Sequence, residues 1–75
     1  MSNIILQTIT DILSTSSRTF PEIATELDDR CRDAYKPGTL YGHINQCLAY
    51  LINEGRVTSM IDGGAGTVYS QNSNQ

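Results

Sequence analysis

His43 and Cys47 stand four residues apart, and with Cys31 they are the nitrogen and sulfur donors a soft metal would need. Zinc sites take three or four such ligands, usually with a closely spaced pair of cysteines. No C-x-x-C pair occurs here, and Cys47 falls on an apolar helical stripe. Two reduced thiols and no metal or other cofactor are therefore expected. Asp28-Asp29 are adjacent, which suits a helix end better than acid–base work, and no serine lies in a G-x-S-x-G elbow. No catalytic activity is expected. Gly63-Gly64-Ala65-Gly66 could cradle a phosphate only at a helix N-terminus, and the residues that follow read as a strand. That run is expected at a hairpin tip.

A different constellation remains, and its chemistry is nucleic-acid recognition. Asn45 and Gln46 carry amides of the kind that read adenine, and the Thr39 hydroxyl can bond a phosphate. Lys36 and Arg56 bracket this stretch as phosphate contacts, and Gly42 would let a helix approach the DNA backbone closely. Tyr41 and His43 lie nearer the edges of the same face. At about 100° per residue, Gly42, Gln46, Ala49 and Asn53 project opposite the apolar stripe.

One helix must carry these side chains. Leu40, Ile44, Cys47, Leu48, Leu51 and Ile52 recur at helical spacing, Pro37 is expected in the first turn, and Gly55 marks the stop. Val57 with Met60-Ile61, and Thr67-Val68-Tyr69, read as two short strands around the glycine cluster. Ahead of them, Ile5, Ile9, Ile12 and Leu13 line one face of a first helix from Ile4 to Ser14, with Leu6 beside it. Ser14 to Ser17 is a polar break. Thr19-Phe20-Pro21-Glu22 then matches a capping box for a second helix bearing Ile23, Ala24 and Leu27. That helix is expected to end near Asp28-Asp29 or a turn later; either it runs on or an inserted loop follows, and a loop packed through Tyr35 is the favoured reading.

Three helices and a two-stranded hairpin make an α+β winged helix-turn-helix, spanning residues 1–70 with a disordered polar tail at 71–75. Within that class, Pro37-Gly38-Thr39-Leu40-Tyr41, then Ile44, Leu48, Leu51, Gly55 and Val57, resembles the PadR-type transcriptional regulators. The resemblance covers the middle third of the chain, and the PGTLY pentapeptide is its most specific piece. It implies a homodimer on double-stranded DNA, with the third helix in the major groove and the wing on the backbone. The family's wing is usually richer in Arg and Lys, and its domain is followed by a dimerisation helix. With six residues after Tyr69, the first helix and the chain ends are the expected dimer contact, through Ile4 or Leu6.

Composition bounds the rest. A domain of 75 residues buries only about 60% of its unfolded surface, so its stability margin is thin. The longest apolar run, Leu48 to Ile52, is far short of the ~20 residues of a membrane span. Met1-Ser2-Asn3 lacks the charge of a secretory leader, so a cytoplasmic protein is expected. The net charge of −3 opposes DNA binding unless acidic groups face away and Lys36 and Arg56, with Arg30 or Arg32, form a local cluster. The same acidic balance permits an alternative, a winged helix used to bind another protein without touching DNA.

Overall fold

A computed structural model describes residues 4–64 and 66–72 of the chain. Its elements are α1 (Ile4–Thr15), β1 (Arg18–Thr19), α2 (Phe20–Cys31), a 3-10 turn (Arg32–Ala34), α3 (Leu40–Asn53), β2 (Val57–Asp62) and β3 (Gly66–Gln71). The architecture is α+β, with three helices and a small antiparallel sheet of order β1-β3-β2 in a winged-helix-like layout. No helix among the described residues is long and apolar enough to cross a membrane.

The apolar stripes read in the sequence form one core. Ile5, Ile9, Ile12 and Leu13 of α1 meet Ile23, Ala24 and Leu27 of α2, Ile44, Leu48 and Leu51 of α3, and Val57 of β2. Three stripe members fall outside it: Leu40, in the first turn, and Cys47 pack against its margin, and Ile52 faces solvent. With Ile44 as zero, helical rotation sets Leu48 at about 40° and Leu51 at about −20°, but Ile52 at about 80° and Cys47 at about −60°. Ile52 is accordingly exposed, and Cys47 is half-buried.

Local chemistry fixes the helix ends. Thr19 Oγ1 accepts from the Glu22 amide at 3.4 Å while Glu22 Oε1 accepts from the Thr19 amide at 2.8 Å, so both halves of the capping box form. The α2 helix does not stop at Asp28-Asp29 but runs on to Cys31. Arg30 pairs back one turn onto Glu26 at 3.1 Å and across to Asp11 of α1 at 2.8 Å, while Arg32 reaches Asp28 at 3.8 Å. These pairs support the extra turn, and most of the expected loop is helix. The short connection left over is anchored as expected through Tyr35, whose hydroxyl donates to Asp28 Oδ1 at 2.6 Å.

Pro37 lies before α3 rather than in its first turn. Thr39 N donates to Lys36 O at 3.1 Å, and Gly38 has φ of 86°, so Lys36-Pro37-Gly38-Thr39 is a turn with proline and glycine at its two central positions. At the other end, Gly55 takes φ of 75°, and the Arg56 and Gly55 amides bond back to Leu51 O and Ile52 O. This is the paired closure of a glycine-terminated helix.

The sheet holds two departures from expectation. Arg18 and Thr19 pair with Tyr69 and Val68, adding a third strand between the polar break and α2. The polar tail also begins later than residue 71. Gln71 pairs with Val57, and Asn72 bonds Arg56 O through its amide and Gly55 O through its side chain. Backbone pairing needs no apolar side chain, so hydropathy did not signal it. The expectation of disorder at 73–75 lies outside the described residues.

The Tyr35 anchor gives a pH prediction. Its phenol is pushed up to about 12 from 10.0, first by the bond to Asp28 and then by burial. Folding thus favours the neutral phenol, a contribution intact below pH 10 and lost as pH rises towards about 12. Tyr35→Phe should flatten the fall of the melting temperature over that window, and parallel alkaline melting curves for both proteins would refute it.

Candidate nucleic-acid interface

The outer face of α3 is mostly polar, with Ile44, Leu48 and Leu51 buried on the opposite side. Thr39, Gly42, Asn45, Gln46, Ala49 and Asn53 are exposed, and His43 is half-buried. Gly38, Thr39, Gly42, His43 and Gln46 together line one shallow, open depression of about 360 Å³. Five positions of the turn and the helix therefore converge on one surface. At Gly42 a Cβ would meet nothing within 4 Å, so packing does not demand glycine there. Its effect is to leave the middle of the depression open.

Among the described residues, no side chain caps the N-terminus of α3. The Thr39 hydroxyl, which could have capped it, donates instead to Lys36 O at 2.6 Å. His43 N is the first amide bonded within the helix, to Thr39 O at 3.1 Å. The amides of Leu40, Tyr41 and Gly42 precede it and are the unsatisfied donors of a helix start, where the helix dipole favours an anion. Lys36 is exposed one turn earlier and forms no ion pair among the described residues. Tyr41 is less available than its exposure of 60% suggests, since its ring packs edge-on against Phe20 at 5.2 Å.

The expected cation cluster does not assemble. Arg30 and Arg32 are committed to Asp11, Glu26 and Asp28 on α1 and α2. Arg56 stands beyond the far end of α3, about 21 Å of helix away from its start. There it borders a second depression of about 360 Å³ with Thr10, Leu13, Glu54 and Val57. The hairpin carries no basic residue from Val57 to Gln71, and it exposes the large apolar Met60 at 73% and Ile61 at 83%. Arg18 of β1 is a further cation without an ion pair among the described residues. Its place was hidden in the sequence because a two-residue strand leaves no periodic signal.

Cys47, Leu6, Gln46 and Tyr50 border a third depression of about 320 Å³ where α1 meets α3. Burial pushes the Cys47 thiol up, which holds the sulfur protonated and a poor ligand or nucleophile. Among the described residues no three His, Cys, Asp or Glu side chains converge as a metal site would require. Comparison with known protein families, with curated proteins and with solved structures yields no match.

Proposed function

We propose that the chain is a cytoplasmic DNA-binding transcriptional regulator, similar to the PadR type, acting as a homodimer. The observation that carries this reading is the open surface at the start of α3, where Gly38, Thr39, Gly42, His43 and Gln46 converge beside Lys36. A helix presented this way fits a major groove, with its N-terminal residues on base edges. Gln46 and Asn45 supply the amides for base reading. Lys36 and the free amides of the first helical turn take a phosphate. The wing, lacking cations, contributes hydroxyls from Thr58, Ser59 and Thr67 at most. Two copies would match a two-fold symmetric site.

With Arg30 and Arg32 paired elsewhere, few cations remain for DNA. The logarithm of affinity should fall with the logarithm of salt at a slope of only about −1 to −2 per bound copy. The test is selection from a randomised duplex library at low salt, followed by titration. Lys36→Glu should weaken binding on every sequence and flatten the slope. Gln46→Ala should leave the slope unchanged and relax preference at one base position. Duplex binding undetectable even at low salt would sink the regulator reading.

A second reading, a protein-binding module, is favoured by the net charge of −3 and by exposed Tyr50 and Ile52 on the distal part of α3. Mapping a partner to Gln46, Ala49 and Asn53 in a chain that ignores duplexes would support it.

A further inference from the structure

The sheet has one guarded edge and one open edge. On the β1 side the strand is two residues long, and α2 begins directly after it. On the other side lies β2, six residues paired to β3 without a break in register from Val57↔Gln71 to Asp62↔Gly66. Exposed edges in natural sheets are usually blunted by lysine, proline or a bulge. The β2 strand has none of these.

Hydrogen bonding alternates along an antiparallel pair, so one ladder bond fixes the phase of the strand. Asn72 N donates to Arg56 O at 2.9 Å, just beyond the Val57↔Gln71 pair, which makes Arg56 and Asn72 a bonded pair. Counting by twos, Thr58, Met60 and Asp62 turn their backbone groups towards β3. Val57, Ser59 and Ile61 turn theirs outward. Among the described residues, no backbone–backbone hydrogen bond outside the sheet involves Ser59 or Ile61.

The segment that presents this edge is complementary to itself. Run antiparallel to a second copy and centred on Ser59, Arg56-Val57-Thr58-Ser59-Met60-Ile61-Asp62 sets Arg56 against Asp62 and Val57 against Ile61. Neither Arg56 nor Asp62 has an ion pair within the chain among the described residues. Ile61, exposed at 83%, would come to lie beside the buried Val57 of the second copy. In this register the outward amides and carbonyls of Val57, Ser59 and Ile61 all find partners.

We propose that the β2 edge is an interaction surface for a second copy of the chain, joining two three-stranded sheets into one across a two-fold axis at Ser59. The contact does not depend on DNA binding, and it assigns Arg56 to the second copy rather than to a phosphate. It also replaces α1 as the dimer contact, since α1 spends Ile5, Ile9, Ile12 and Leu13 on the core and leaves only Ile4 and part of Leu6 outside.

Sedimentation of the full chain from low micromolar into the millimolar range tests this. Wild type should show a reversible monomer–dimer equilibrium. Ser59→Pro removes an outward N–H that β3 does not use, so it should abolish the dimer while the monomer keeps its circular dichroism. Ile61→Lys, which alters no backbone donor, should do the same if the proline variant folds poorly. Arg56→Asp and Asp62→Arg should each weaken association about tenfold by opposing like charges at both symmetric positions. The double swap should restore it, even though Asp62→Arg gives up the Gly64 N–H bond that Asp62 Oδ1 accepts at 2.9 Å. A wild-type monomer throughout, a dimer indifferent to both Ser59→Pro and Ile61→Lys, or a double swap no better than the single ones would each overturn the proposal.

Discussion

Leu48→Ala should lower the melting temperature by about 10 °C or more and leave a substantial fraction of the chain unfolded at physiological temperature. Leu48 is 3% exposed and lies in the core shared by all three helices. Truncating such a leucine costs about 2–5 kcal/mol, made up of lost transfer energy and the cavity left behind. A domain of 75 residues holds roughly 4–11 kcal/mol in total, so the loss is a large share of the whole. The neighbouring Ile52→Ala is the control. It is 39% exposed, so it gives up less surface on folding than Leu48 and leaves a smaller, solvent-filled gap when truncated. Thermal denaturation followed by circular dichroism measures both. Equal shifts for the two would mean that the stripe of α3 packs through a different face.

Gly42→Glu should move stability and DNA binding in opposite directions. Gly42 is the third residue of α3, and a side chain there meets open space. Replacing glycine within a helix, and placing a carboxylate in an otherwise uncapped first turn, should stabilise the fold by about 0.5–1 kcal/mol. The same carboxylate would stand in the middle of the depression beside Lys36, where the proposed phosphate and base contacts lie. Like-charge juxtaposition in an interface costs several kcal/mol, so affinity should fall by about a hundredfold or more. Parallel melting curves and duplex titrations decide the point. A variant that melts higher and still binds DNA as wild type does would place the interface elsewhere on the surface.

The divide between what could be read and what could not follows the physics of each element. Helical stripes were legible because Ile5, Ile9, Ile12 and Leu13, or Ile44, Leu48 and Leu51, repeat at the period of the structure that buries them. The capping box was legible because Thr19 and Glu22 satisfy each other locally. The last turn of α2 was not, since its support includes Arg30 reaching Asp11, nineteen residues away in the chain. Strand β1 and the end of β3 were hidden for a related reason, because Arg18, Thr19 and Gln71 are held by partners far off in sequence. At the candidate site, the residue types on α3 were readable from spacing. The isolation of Lys36 from Arg56, and the pairing of Arg30 and Arg32 with acids, depended on how the helices pack.

The central place of β3 bears on how the chain acquires its structure. Arg18 pairs with Tyr69, a separation of 51 residues by subtraction of their numbers, in a chain of 75. Contacts of that span are entropically late, since the intervening loop must close before they reward it. The three helices hold most of the core through closer contacts and can collapse first. During synthesis, β1 and β2 are made before the strand that joins them and wait with open edges until Gly66 to Gln71 emerges. The sheet is thus completed in one step at the end, when β3 docks between two strands already in hand. Until then both edges of β2 stay uncovered along with its apolar Met60 and Ile61, which opens this segment to premature association with another nascent chain.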